Sequence, residues 1–419
     1  MIAVLLLAAG CGRQLNPVFC DEHPNDPDCR NSGLVQIDAP MGECTQSAMC
    51  TGNPNGPVCD TGSQTCVQCI VGIDVSGCAG GTPQCGDDHL CHGCVFDTHC
   101  SASNVCLPNG MCADETAVLY AAPTGTGTVC SQAAPCTFTT AVAAVTATKH
   151  IVKLLPSATP YSEPPITIDN TQPMQILADS AIFDPTGTGD GLTVTATNVE
   201  IVGLTVKSAT GDGVACSGTS ILSMRQMNVT DNTGYGINSS GCTITIERSR
   251  FSRNVAGGML LVAGKLEVRN NIIDHGGNAA LDKGNVTIQN GNGRFVFNTI
   301  ANNLSKGGGG RIGGIDCSPT SGLTMQVARN ILADNGAGKP LGGTCTTGTT
   351  NYVGKVADIK FSDAANYKLG PMTPTTILRD DPESVADCMT GTKYIDDYEG
   401  ETRPVNYCDR GADEFHAPP

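Results

Sequence analysis

Thr205-Val206-Lys207-Ser208-Ala209, Asn228-Val229-Thr230-Asp231-Asn232 and Arg250-Phe251-Ser252-Arg253-Asn254 are three copies of one phrase: a large apolar anchor followed, three positions on, by a small or amide residue. Worked outward, the phrase runs to six copies. The anchors are Val206, Val229, Phe251, Ile272, Ile300 and Leu332, and the third position beyond each reads Ala209, Asn232, Asn254, His275, Asn303 and Asn335. The first anchors stand 23, 22 and 21 residues apart, and insertions lengthen the later intervals. A repeat of this length built on short apolar runs predicts a solenoid, because one coil cannot bury its apolar face alone and must stack on its neighbours. Two further strands are predicted in each coil. One opens at Gly213-Val214, Gly236-Ile237 and Gly258-Met259, the other at Ile221-Leu222, Ile244-Thr245-Ile246 and Leu266-Glu267-Val268. With parallel strands stacked at ~4.8 Å, equivalent asparagines can hydrogen-bond along the axis and satisfy buried turn amides.

Composition points the same way. With 51 glycines in 419 residues, 4% aromatics and no tryptophan, the chain suits a turn-rich all-β fold better than a helix-rich enzyme. A net charge of −16 excludes nucleic acid as a partner, since phosphate binding needs a basic stripe. The coils are expected over 115–350 and a closing segment over 351–419. An amphipathic helix is expected over 138–150 and a strand over 151–155, the helix placed to cover the sheet edge that a parallel stack exposes.

Upstream, residues 1–10 form an apolar run too short to span a bilayer and read as a secretion signal. Leu7-Ala8-Ala9-Gly10-Cys11 resembles the bacterial lipobox, which implies lipidation of Cys11 and membrane attachment through lipid alone. No basic residue precedes the run, a departure from the signal pattern for which a start codon further upstream is one expected explanation. Gly12 stands where some lipoproteins carry an inner-membrane retention aspartate, so the expected location is the cell envelope, at the outer membrane, or the medium outside. Residues 11–43 read as an acidic, proline-broken tether in which Cys20 and Cys29 close a small loop.

With Cys11 set aside, 22 of the 23 cysteines remain, an even number in an oxidising compartment. In the cysteine-rich segment 44–114 they form three units of four: Cys44, Cys50, Cys59, Cys66; then Cys69, Cys78, Cys85, Cys91; then Cys94, Cys100, Cys106, Cys112. The Cys-x-x-Cys pairs Cys66/Cys69 and Cys91/Cys94 fall at the junctions, as connectors of a tandem repeat would. His89, His92 and His99 raise zinc as a competing use, but the spacing offers no closed four-ligand set, and no metal is expected here. Almost nothing large and apolar lies between the cysteines. Disulfides, at about 2–4 kcal/mol per closed loop, must hold this segment together.

The six-copy register, the asparagine column and the helix at its entry resemble the pectin-lyase-like right-handed parallel β-helix superfamily over 115–350. The end of the chain adds to the likeness: Asp396-Asp397-Tyr398-Glu399-Gly400-Glu401-Thr402-Arg403-Pro404, with Asp409-Arg410-Gly411-Ala412-Asp413-Glu414, resembles a closing segment of secreted β-helix proteins, Arg410 standing where an aliphatic residue is usual. The cysteine-rich segment resembles stalks of bacterial surface proteins. For the body the expected pairings are Cys130/Cys136, Cys216/Cys242, Cys317/Cys345 and Cys388/Cys408.

The superfamily resemblance implies, for an enzyme, a polysaccharide lyase using Ca²⁺ and a basic residue, or a glycoside hydrolase using paired carboxylates. Two positions beyond the anchors runs the column Asp231, Arg253, Asp274, Asn302 and Asp334, with His275 beside it. Asp231, Arg253, Asp274 and His275 are therefore the candidate catalytic residues. The competing reading is a charge ladder in which Arg253 neutralises two carboxylates, with His275 a rung of the amide column. The superfamily's hydrolase motifs are absent as an ordered set: Asn298-Thr299-Ile300 lacks the carboxylate, and Asp274-His275-Gly276 and Arg311-Ile312-Gly313 match in fragments only. Asp184-Pro185-Thr186-Gly187-Thr188-Gly189-Asp190-Gly191 reads as a surface turn, with Ca²⁺ the one cofactor it could take. Lys306 to Arg311 lacks the Gly-Lys-Ser/Thr ending of a phosphate loop and reads as an insertion. The expected role is a non-catalytic lipoprotein presenting a β-helix face to a polysaccharide or a surface protein. The oligomeric state is left open.

Overall fold

A computed structural model describes residues 44–195, 198–280, 285–305, 312–336, 338–347, 351–374, 396–403 and 408–415. The signal sequence, Cys11, the tether with Cys20 and Cys29, the insertion at 306–311 and Cys388 lie outside the described residues. The described chain divides at Cys112–Ala113 into two units.

In the first unit the three cysteine units each make two disulfides by pairing first with third and second with fourth. The bonds are Cys44–Cys59 with Cys50–Cys66, Cys69–Cys85 with Cys78–Cys91, and Cys94–Cys106 with Cys100–Cys112. Members of a Cys-x-x-Cys pair therefore bond to different partners, and the thiolates that zinc would need are consumed. Short antiparallel pairs, Val58–Asp60 with Thr65–Val67 and Gln84–Cys85 with Cys91–His92, are the main regular structure. The buried cluster Cys44, Cys50, Cys59 and Cys66 takes the place of an aliphatic core.

Loops of 12–16 residues are closed here, each contributing about 3 kcal/mol on chain-entropy grounds. Reduction without denaturant is therefore expected to unfold residues 44–112 and leave the coils intact. Limited proteolysis read by mass spectrometry should show cleavage confined to that segment; equal cleavage within the coils would refute it.

The second unit is a stack of eight coils, each giving one strand to each of three parallel sheets. The first sheet runs from Ile166–Ile168 to Lys339–Gly343 and the third from Ile182–Phe183 to Tyr352–Gly354. The second begins earlier, with Val118–Ala121 and Ile151–Leu154, and ends at Thr346–Thr347. Alternation along each strand sends apolar residues inward, where they stack in rows. One row is Phe183, Val206, Val229, Phe251, Ile273, Ile300 and Leu332.

The fourth anchor is thus Ile273, one residue later than the sequence expectation of Ile272. The doublets Asn270-Asn271 and Ile272-Ile273 satisfy the phrase in either register; the pairing Phe251 with Ile273 decides it. A one-residue slip exchanges inside for outside, so this shift changes the meaning of every neighbouring position.

The entry helix spans Phe138–Ala143, shorter than expected, since Ala144 ends it and a turn closes from Thr146 N–H to the Lys149 carbonyl. Its first amides donate to the Glu163 carboxylate at 2.8 Å, and Phe138 meets Tyr161 and Phe183 edge-on at the first coil. The expected disulfides Cys130–Cys136, Cys216–Cys242 and Cys317–Cys345 all form. Cys408 is also disulfide-bonded.

Candidate functional site

Five successive coils turn two corners each by placing a non-glycine residue in the left-handed region. After the third-sheet strand these are Asp231, Arg253, His275, Asn302 and Asp334, with φ of 58°, 53°, 52°, 55° and 50°. Before it they are Gln226, Arg248, Asn270, Phe297 and Arg329, with φ of 54°, 51°, 54°, 55° and 57°. Such a conformation costs about 1–2 kcal/mol per residue and needs repayment by the residue that follows.

That residue is the ladder amide. At the corner after the third sheet, Asn232 Nδ2 donates to Asn254 Oδ1 at 2.8 Å and Asn303 Nδ2 to Asn335 Oδ1 at 2.8 Å. Gly276, not His275, holds the intervening rung and donates its N–H to Asn303 Oδ1 at 2.9 Å. Buried Asn285 fills the space an asparagine there would take, its Nδ2 donating to the Gly276 carbonyl at 3.0 Å.

The earlier corner carries a longer ladder that the sequence reading missed: Ser249, Asn271, Asn298, Asn330 and Asn351. Each backbone N–H from Ser249 to Asn330 donates to the next Oδ1 at 2.9–3.0 Å. The signal was present two residues before each anchor, where amides recur in four successive copies.

The corrected register separates the four candidates. Asp231, Arg253 and His275 share the exposed left-handed column. Asp274 sits one position earlier, level with Ser252 and Ala301 in the sheet, and its side chain is fully buried. Arg253 does not bridge two carboxylates: it grips Asp231 alone, through Nε at 2.6 Å and NH2 at 2.8 Å, on the exposed surface.

Asp274 is held instead by Arg250, through Nε to Oδ1 at 3.1 Å and NH2 to Oδ2 at 2.6 Å. His275 Nδ1 lies 2.8 Å from Oδ2, and the Ser252 and Tyr367 side chains stand beside the carboxylate. Since the carboxylate only accepts, the His275 proton sits on Nδ1, leaving Nε2 open on a ring that is 53% exposed. Burial pushes the Asp274 carboxyl up, but Arg250 outweighs it and holds the group below the ordinary carboxylate range. Tyr367 is pushed up to about 12, by burial first and by the Asp274 charge second, and it accepts from Asn302 Nδ2 at 3.0 Å.

Arg250 and Tyr367 are thus members of the cluster that sequence reasoning did not name. Tyr367 arrives from a loop 65 residues beyond Asn302 with no local signal to mark it. Three hydrogen bonds from Arg250 and His275 engage the Asp274 carboxylate, and its side chain is fully buried, so it does not face solvent as a metal ligand or a general base would. In the 184–191 turn, Asp190 accepts the Asp212 N–H at 2.8 Å, the use of an ordinary turn residue.

These features define a right-handed parallel β-helix behind a disulfide-linked N-terminal segment. Residues 190–354 match the family described as the right handed beta helix region. Among solved structures, the crystal structure of pectate lyase Pel9A is similar, with 17% identity and a TM-score of 0.39 over 71% of this chain and 96% of that one. No curated protein matches in sequence. Nine disulfides with both cysteines among the described residues place the chain in an oxidising, extracellular setting, and no helix among those residues is long and apolar enough to cross a membrane.

Proposed function

We propose that this protein is a cell-envelope lipoprotein of the outer membrane, anchored through Cys11, whose β-helix binds a polysaccharide without cleaving it. The observation that carries this reading is the self-compensation of the candidate site. Asp274 is buried and held by Arg250 and His275, and Asp231 is neutralised by Arg253, so no free carboxylate pair of the described residues faces solvent there. The column of Asp231, Arg253, His275, Asn302 and Asp334, exposed except at half-buried Asn302, repeats once per coil, ~4.8 Å apart where the coils stack regularly. A regular row of hydrogen-bonding groups suits a polymer whose hydroxyls also repeat.

One observation favours a second reading, a polysaccharide lyase or glycoside hydrolase: the His275–Asp274 bond orients an exposed imidazole with Nε2 open, as a general base would be. A single experiment separates them. The soluble chain from residue 12 is applied to a polysaccharide panel, with retention and product formation both measured. The expected result is retention on at least one polymer without product, weakened roughly tenfold, or about 1.4 kcal/mol, when Arg253 and His275 are both changed to alanine. Product formation abolished by His275→Ala alone would overturn the binding reading in favour of the enzyme.

A further inference from the structure

The closing segment is a strap laid along the outside of the corner that carries the longer ladder. Arg248 donates to the Tyr398 and Glu399 carbonyls at 3.1 and 2.6 Å, and Arg269 to Asp396 Oδ1 at 2.7 Å. Asn270 Nδ2 donates to the Asp396 carbonyl at 2.7 Å, and the Gly411 N–H donates to the Arg329 carbonyl at 2.9 Å. Buried Arg403 pairs with Glu414 at 2.7 Å and lies over the Phe297 ring at 4.7 Å. The strap therefore grips four successive coils by their left-handed corner residues.

Within it the carboxylates of Asp397, Glu399 and Asp413 come within 4.8 Å of one another. Asp397 is fully satisfied, accepting from the Gly400, Glu401 and Glu414 amides. Glu399 Oε1 takes the Lys368 ammonium at 2.9 Å, but its Oε2 is buried with no donor among the described residues. Asp413, whose own Oδ2 accepts the Leu369 N–H, is itself buried and holds its carboxylate within 4.8 Å of that of Glu399. Two carboxylates this close and withdrawn from water repel each other unless one carries a proton, which it can then donate to the other.

We infer that the strap is a pH-sensitive clasp, seated while Asp413 is protonated and donates to Glu399, and released from the coils when that proton is lost. Charged groups reach the trio from every side: Lys368 from the preceding loop, Arg248 from the coil corner, and Arg403, Glu401, Asp409 and Glu414 from the strap itself. Arg248 and Arg403 also serve backbone carbonyls, and Arg403 is already paired with Glu414, which leaves Lys368, partly exposed, as the one ammonium on Glu399. Burial pushes the Asp413 carboxyl up to about 8, with the neighbouring acids adding to it. A folded value raised this way gives stability that is whole below the ordinary carboxylate range and is lost as pH rises through about 8.

The test is amide hydrogen exchange of the full chain between pH 6 and pH 9.5 with chelator present, corrected for the intrinsic pH dependence of exchange. Residues 396–403 and 408–415 are expected to lose protection at least tenfold across that range while the coil strands keep theirs. Asp413→Asn supplies the same hydrogen from an amide and should flatten the profile. Glu399→Gln, at a side chain that is 23% exposed, should do the same if the first variant folds poorly. A strap equally protected at both ends of the range, or variants that track the wild type, would overturn the inference. So would recovery of protection at pH 9.5 on adding Ca²⁺ to the wild type, which would assign the trio to a cation.

Discussion

Asn298→Ala is expected to lower the unfolding free energy by about 3–5 kcal/mol, one of the two largest effects anticipated from a single change. Asn298 Oδ1 accepts both the backbone N–H and Nδ2 of Asn271, at 3.0 Å each. Its own Nδ2 donates to Asn330 Oδ1 and to the Val268 and Val296 carbonyls at 3.0–3.1 Å. None of these groups reaches solvent, so truncation strands a backbone donor at a cost of about 1–3 kcal/mol and removes further bonds worth about 1 kcal/mol each. The left-handed conformation of Phe297 also loses the residue that offsets it. Asn351→Ala at the end of the same ladder is the control: Asn351 is only partly buried, and water can replace part of what it gives, so about 1–2 kcal/mol is expected there. Urea denaturation of both variants decides the matter, and equal losses would show that the ladder is not a cooperative buried network.

The coils were legible because their determinants are local and repeat: an inward anchor, a left-handed corner, then an amide. The three sets of strands follow from that periodicity; the three body disulfides were reached from the nearness of their cysteines in sequence, and the pairing within each four-cysteine unit was not legible there. The site was less legible, for an identifiable reason. At Asn270-Asn271-Ile272-Ile273 the phrase fits two registers, and only pairing with Phe251 on the neighbouring coil selects one. The wrong choice put buried Asp274 on the surface and surface His275 in the ladder. Arg250 then passed unnoticed, since its role depends on Asp274 facing the sheet side of the corner, and Tyr367 is brought in by a loop whose position no repeat encodes.

Arg250→Met is expected to destabilise the chain by about 3–5 kcal/mol at pH 7, because it keeps much of the aliphatic stem yet leaves the Asp274 carboxylate buried without its cation. The His275 bond remains, but a hydrogen bond alone repays only part of the desolvation of a full charge. In the wild type Asp274 is held below the ordinary carboxylate range. Its contribution is therefore present above that range and fades as pH falls through the depressed folded value. Without Arg250, burial outweighs the remaining His275 bond and the folded value rises, so the sign reverses: the variant is penalised as pH climbs and relieved as Asp274 takes up a proton. The deficit relative to wild type should therefore be largest at pH 7 and shrink towards pH 4, as read from urea midpoints at several pH values. Adding Asp274→Leu to Arg250→Met removes the stranded charge altogether and should recover more than half of the loss at pH 7. A deficit that stays constant with pH, or a double variant no better than the single, would mean that Arg250 contributes through its packing and its bonds to Asn366 and the Ala365 carbonyl rather than through the buried pair.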